Sequence, residues 1–291
     1  MEAYSVLMTV YRSENAPHFE RAINSVLSQT VPTDDFIIVC DGPLVEALDA
    51  VIDKYTAAYP DIIHVLRLEQ NMGIGAACDA GIRLCRHDLV AKMDADDISM
   101  PGRCEAQLRR FAEVRDLTIL GGDIEEFGTD PDAPFSVRSV PKTNPEIRAY
   151  ARRRQPFNNV TVMMRRSAVL DVGGYRPLRR NEDYDLYIRL LHRGYYAENL
   201  PQILVKVRVD SDSYHRRCSF SSFCGILRSR WTAFAIGYST LPDLLYCCLG
   251  SLFLLLCPGK VRKLVYMTMF RRKLHGRSDS PIQEKEYSRI N

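Results

Sequence analysis

Over the first hundred positions of the chain, short apolar runs alternate with segments whose apolar residues recur at helical spacing. Ser5 to Val10 is a β-favouring run, and after it Phe19, Ile23, Val26 and Leu27 fall at i, i+4, i+7 and i+8, one face of a helix. Phe36 to Cys40 is apolar without alternation, the pattern of a strand covered on both faces in a parallel sheet. Leu44, Leu48, Val51, Ile52 and Tyr55 predict a second helix, and His64 to Leu68 a third strand. Ile74, Ala77, Cys78, Gly81, Ile82 and Cys85 predict a third helix ahead of a fourth strand, Leu89 to Met93. Strands and helices joined by short connections predict right-handed βαβ units and an α/β fold: a Rossmann-like, mostly parallel central sheet flanked by helices.

Open sheets of this kind bind ligands beyond the carboxyl ends of their strands, so the residues that follow each strand are the first candidates for a site. Tyr11 and Arg12 follow the first strand, Asp41-Gly42 the second, Asn71-Met-Gly-Ile-Gly75 the third and Asp94-Ala-Asp96-Asp97 the fourth. Farther on, Phe127 to Pro156 is rich in proline and charge and predicts loops around a short helix. Asn159 to Met164 predicts a strand, Ser167 to Val172 a helix and Gly173-Gly174 a turn. Tyr184, Tyr187, Ile188 and Leu191 predict a helix that Asn181 would cap. Glu182 and Asp183 then lie in its first turn, where the helix dipole favours carboxylates.

Composition narrows the class. At 291 residues, 46% apolar and 26% charged, the chain suits one large domain with an appendage, and not a disordered, collagen-like or polytopic membrane protein. The net charge of +3 is too small to argue for nucleic acid, but it conceals a split. Residues 201–291 carry 15 basic against 6 acidic side chains, a local +9, which leaves −6 for the first 200. Leu244 to Gly259 is 16 residues without a charge, followed by Lys260, Arg262 and Lys263. A spanning helix needs about 20 apolar residues. The run therefore predicts an interfacial segment whose basic flank faces anionic headgroups, or else an ordinary amphipathic core helix. Nine cysteines without a C-x-x-C pair read as reduced core residues, and the start of the chain lacks the pattern of a secretory signal.

Among the chemistry-bearing strings, Met93-Asp-Ala-Asp-Asp97 places three carboxylates at a strand end. Such a cluster suits either a Mg²⁺ or Mn²⁺ ion with an anionic ligand or a solvated acidic turn. Asp41-Gly42 is a plain turn pair or an acceptor for a base N–H or a ribose hydroxyl. Asn71-Met-Gly-Ile-Gly75 resembles a phosphate-cradling loop, yet it lacks the third glycine of the dinucleotide fingerprint and any P-loop lysine; close helix packing also explains its glycines. Asp183 at a helix start needs no role beyond the dipole. The six histidines lack ligand spacing and no G-x-S-x-G occurs, so histidine metal centres and serine hydrolase chemistry find no support.

Taken in order, Ser5-Val-Leu-Met-Thr-Val-Tyr11, Ala22-Ile-Asn-Ser-Val-Leu-Ser-Gln-Thr30, Ile38-Val-Cys-Asp-Gly42, Asn71-Met-Gly-Ile-Gly-Ala76, Met93-Asp-Ala-Asp-Asp97, Met100-Pro-Gly-Arg103 and Asn181-Glu-Asp183 resemble the family 2 glycosyltransferases of GT-A fold. The likeness is to the bacterial transferases that build capsule, exopolysaccharide and lipopolysaccharide, and it covers about Ala3 to Asp210. It implies a glycosyltransferase domain over 1–210, with a nucleotide-binding half at about 1–100 and an acceptor-binding half at about 101–210. A helical, basic and apolar extension would occupy 211–291. It further implies that Thr9, Tyr11 and Asp41 hold a uridine, with Asn71 and Gly73 beside them. Asp94 would sit under the ribose, Asp96 would ligate Mn²⁺ or Mg²⁺, and Asp183 would be the general base of a single inverting displacement. The implied partners are a nucleotide-sugar donor, a glycan acceptor carried on a lipid, and the anionic inner face of the plasma membrane, where a cytoplasmic enzyme would bind peripherally; nucleic acid is not among them.

The chain departs from that family at Cys40-Asp41, where two acidic residues are usual, and at Gly42-Pro43 and Asn159-Val160. Two other readings compete. A sugar-nucleotide pyrophosphorylase needs a glycine-rich, lysine-bearing loop after the first strand, and Tyr11-Arg-Ser-Glu-Asn-Ala-Pro17 contains no glycine. A non-catalytic nucleotide-sugar-binding protein has no need of both Asp96 and Asp183.

Overall fold

The computed structural model describes residues 2–209, 220–257 and 272–273. Four parallel strands, β1 (Tyr4–Val10), β2 (Asp35–Cys40), β3 (Ile63–Arg67) and β4 (Leu89–Asp94), run in the order β4-β1-β2-β3, as the alternation of strand and helix predicts. The helices that connect them are α1 (Ala16–Leu27), α2 (Glu46–Ala58) and α3 (Ile74–Leu84). β2 is buried along its whole length, which is why its sequence shows no alternation. Asn15 starts α1 by accepting a hydrogen bond from the His18 N–H, and Phe19, Ala22, Ile23 and Val26 form the buried face that the spacing predicts.

The second half of the chain turns the sheet mixed. It adds β5 (Ile98–Ser99), α4 (Arg103–Glu113), β6 (Leu117–Phe127), β7 (Ser136–Arg138), α5 (Asn144–Ala151), β8 (Met163–Arg165), α6 (Arg166–Asp171), α7 (Glu182–Arg193) and β9 (Tyr196–Arg208). β8 joins β4 antiparallel, β6 and β7 continue outward from it, and β10 (Arg272–Lys273) borders β7, so that ten strands form one sheet among the described residues. β9 runs parallel to β6 and also pairs with β5. α1, α2 and α4 cover one face, around Phe19, Val51 and Leu108; α3, α5, α6 and α7 cover the other, around Ala77, Ile147, Val169 and Leu190.

Two expectations change. Asn159–Thr161 is a 3₁₀ turn, and the strand begins only at Met163. Thr161 Oγ1 donates to the Asn158 carbonyl at 2.7 Å and accepts from Gly122 N at 3.0 Å, an alternative to ladder hydrogen bonds that a β-branched residue otherwise favours. Asn181 does precede α7, but in the left-handed region at φ +57° and with no side-chain capping bond.

Beyond β9, α8 (Phe220–Ala235) and α9 (Leu241–Leu256) pack against the α7 side. Ala233 enters the core there, and the Arg230 guanidinium lies 3.8 Å from the centre of the Tyr184 ring. Asp243 at the start of α9 is buried and accepts from Arg152 and Arg153 at 2.6 Å each. α9 buries Leu244 and Cys247 and exposes Leu245, Tyr246, Leu249, Phe253 and Leu256. Among the described residues no helix is long and apolar enough to cross a membrane. The expected boundary at 210 and the basic residues Lys260, Arg262 and Lys263 lie outside the described residues.

Candidate active site

Side chains alternate across a sheet, so Thr9 on β1, Asp41 just past β2 and Asp94 at the end of β4 emerge on the face covered by α3 and α7. Thr9 stands opposite Asp94 in the ladder. Together they open a cleft of about 570 Å³ lined by Thr9, Tyr11, Asp41, Asn71, Gly73, Asp94 and Asp96, seven of the eight site residues expected from sequence, with Glu14, Arg179 and Arg180 on its rim. Asp183, the eighth, lies outside that lining, three residues past Arg180 in the first turn of α7.

Asp41 organises the floor. Its carboxylate accepts from Met72 N at 2.7 Å and from Gly73 N at 3.0 Å, while Asn71 Nδ2 reaches the Asp41 carbonyl at 3.3 Å. The N–H groups expected to cradle a phosphate thus point to a protein carboxylate. Gly73 takes φ +89°, a conformation that a side chain would strain. At Gly75 a Cβ would stand 2.2 Å from the Arg176 carbonyl oxygen, and Gly75 N donates to the Leu178 carbonyl at 3.3 Å. The glycine string therefore seats the segment that carries Arg179 and Arg180. Neither arginine has an ion-pair partner among the described residues, and the sequence reading passed over both, although an Arg-Arg pair next to Asn-Glu-Asp was a visible signal.

The three carboxylates after β4 separate into different roles. Asp94 pairs with Lys92 Nζ at 2.6 Å. Asp97 is buried and accepts from Arg208 N at 2.8 Å; burial, then the charges of Asp96 and Asp94, push its pKa well above the usual carboxylate range. Asp96 is half-buried at the cleft. The described residues contain no ready-made cage of three or more Asp, Glu, His or Cys. Mg²⁺ and Mn²⁺ are hard cations commonly held by one or two carboxylates together with substrate phosphates, and a carboxylate at the lip of a cleft with a cationic rim fits that mode.

Asp183 is half-buried and accepts from its neighbour Tyr184 N at 2.7 Å and from Gln155 Nε2 at 2.6 Å. Burial raises its pKa, while these two donors and the Lys92 charge oppose the rise. Glu182 beside it is buried and pushed up to about 8, by burial first and by the Asp183 charge second. Both members of this coupled pair are raised, and the hydrogen bonds that Asp183 accepts favour its ionised form.

Comparison with known proteins bears on the whole arrangement. The amylovoran biosynthesis glycosyltransferase AmsE of Erwinia amylovora is 35% identical over 214 residues, 74% of this chain and 79% of that protein. The UDP-Gal:alpha-D-GlcNAc-diphosphoundecaprenol beta-1,3-galactosyltransferase of Escherichia coli is 31% identical over 271 residues, 93% of this chain and 98% of that one. Among solved structures, the mannosyltransferase PcManGT of Pyrobaculum calidifontis, in complex with GDP-Man and Mn²⁺, superposes with a TM-score of 0.64 at 13% identity over 99% of this chain and 79% of its own. TarS of S. aureus in complex with UDP-GlcNAc gives 0.62 at 15% identity over 86% and 72%. The fold is the GT-A fold. The profile of the family described as "Glycosyl transferase family 2" matches residues 5–177, and the chain belongs to that family of glycosyltransferases.

Proposed function

We propose that the protein transfers a sugar, with inversion, from a UDP-sugar to a hydroxyl of a glycan carried on a lipid diphosphate, in the assembly of a bacterial surface polysaccharide. The observation that carries this reading is the convergence of Thr9, Tyr11, Asp41, Asn71, Gly73, Asp94 and Asp96 on one cleft at the ends of the parallel strands. A uridine would lie between Thr9, Tyr11 and Asp41, whose carboxylate retains acceptor capacity beside the two N–H groups it already takes. Asp94, fixed by Lys92, would receive ribose hydroxyls. Arg179 and Arg180 would face the diphosphate, where their charge favours the anion and its departure. Asp96 would ligate Mn²⁺ or Mg²⁺, which when bound neutralises charge on the departing nucleotide. Asp183, ionised and held by Gln155 and Tyr184 N, would take the proton of the acceptor hydroxyl as it attacks the anomeric carbon.

The E. coli relative names both UDP-Gal and a diphosphoundecaprenol-linked GlcNAc, which supports the choice of donor nucleotide and acceptor class. We further assign residues 211–291 to a membrane-facing extension at the inner face of the plasma membrane, on the strength of the exposed apolar face of α9 and the basic residues that follow it. A transfer assay with UDP-glucose, UDP-galactose and their N-acetylated forms, with Mn²⁺ or with chelator, against a GlcNAc-diphosphopolyprenol acceptor tests the reading. Asp183→Asn is expected to lower kcat by about 10²–10⁴ with UDP binding retained. Full activity in that variant would remove Asp183 from the role, and unchanged metal dependence in Asp96→Ala would remove Asp96 from its own.

A further inference from the structure

We propose that Lys92 is a positioning residue for the transfer reaction: a buried ammonium that anchors Asp94 on the donor side and, from the sheet face that α7 covers, sets the electrostatic potential at Asp183 on the acceptor side. The inference rests on the reading of Asp183 as the base.

Lys92 occupies a place that the sheet otherwise fills with apolar side chains. It stands opposite Leu7 in the β1–β4 ladder, on the face that presents Val90 and Val39 to the core under α3 and α7, and it is 1% exposed. Burying an ammonium is strongly unfavourable unless it is paired. Its hydrogen-bonded partner, Asp94 Oδ1 at 2.6 Å, is a cleft carboxylate and not a core one, so the pair links the interior to the donor pocket. Its backbone is fixed from two sides, since Lys92 N donates to the Val162 carbonyl at 2.8 Å and Arg103 Nη2 donates to the Lys92 carbonyl at 2.8 Å.

The charged and titratable groups around it come from every neighbouring element. The Lys92 charge acts on Cys78 of α3, on Asp94 and Asp97 of β4 and its exit, and on Glu182 and Asp183 of α7. The Asp183 charge acts on Tyr175 of the preceding loop and Tyr187 of α7, and Arg103 of α4 lies on the opposite face, against Met93. Burial is the largest single influence and works against the Lys92 charge; the charge and hydrogen bond of Asp94, with Cys78 and Glu182, together outweigh it. The same ammonium lowers the pKa of Asp183, where Asp94 raises it. Lys92 reaches Asp94 through a hydrogen bond and Asp183 through its electrostatic potential. A potential is read in a pH profile, whereas lost packing is not.

The test is the pH dependence of kcat for the full chain and for Lys92→Met and Asp94→Asn, with UDP affinity by calorimetry and Tm for each. Asp183 works deprotonated, so activity falls as pH drops through its pKa. Removing Lys92 raises that pKa, and the acidic limb of Lys92→Met should move up by about one pH unit with weaker UDP binding; removing the Asp94 charge should move the limb down. A folded Lys92→Met protein whose kcat falls with the limb unmoved would overturn the proposal. If Lys92→Met does not fold, Asp94→Asn decides: a limb that moves down supports the shared charge network, and one that stays or moves up overturns it. Failure of the base reading is separate, because it appears as activity in Asp183→Asn whatever Lys92 does.

Discussion

Asp41, Asp94 and Asp183 are three carboxylates with different partners, and those partners decide their chemistry. Asp41 is tied to backbone N–H groups, Asp94 to an ammonium, and Asp183 to an amide and its neighbour's N–H. Gln155 is the side-chain donor to the third. Its Nε2 donates to the ionised form of Asp183, so Gln155→Leu should raise the Asp183 pKa and move the acidic limb of kcat up by about one pH unit, with Tm little changed. A pH–rate profile that stays in place in a folded variant would show that the amide does not set the base. Asp41 and Asp94 were legible before the structure because strand ends and alternation are local rules, readable from a few consecutive residues, whereas Thr9 entered only through the family likeness. Gln155 and Lys92 were not, since a glutamine in a proline-rich loop and a lysine inside an apolar strand acquire meaning only from what packs against them.

At the level of elements, α1, α2 and α3 follow their apolar spacing because each lays one stripe on a single sheet face. The sequence reading passed over β6 and β9. β6 carries Gly121-Gly122 at its centre, where Asn199 of β9 and Leu204 come so close that a Cβ would stand 2.3 Å and 2.5 Å away, and it includes Asp123 and Glu126, which Lys142 and Ser136 satisfy. Glycines and acids in a buried strand contradict strand propensity until those distant partners are known. α9 is held by a similar long-range device. Thr240, Arg152 and Arg153 lower the Asp243 pKa below the ordinary range against the effect of burial. A carboxylate with a lowered folded pKa contributes stability above its unfolded value, about 4, and loses it as the pH falls further. Acidification below about pH 4 should therefore loosen α9 from α5, an effect absent in Asp243→Asn and measurable by protease cleavage after Tyr246 as a function of pH.

On the scale of the molecule, we propose that the acidic body and basic tail divide the work between chemistry and location. The body contains the cleft, and α9 presents Leu249 at 63% and Leu256 at 74% exposure next to a basic segment of sequence. Vesicles containing an anionic lipid should bind the wild-type chain, less so at high salt, and Leu249→Glu with Phe253→Glu should reduce binding at least several-fold while UDP affinity stays the same. Equal sedimentation of both proteins would count against an interfacial α9. The sequence alone determined the α/β alternation, the strand-end carboxylates and the family likeness, because hydrophobic period and motif order are properties of neighbouring residues. Only the tertiary structure decided that Met72 and Gly73 turn their N–H groups to Asp41, that the glycine string seats Arg179 and Arg180, and that Lys92, buried in the sheet, pairs with the cleft carboxylate of Asp94. Those relations reach across more than one hundred positions, as between Gly73 and Arg179, and their energies come from burial and low-dielectric pairing that exist only once the two halves of the chain have packed.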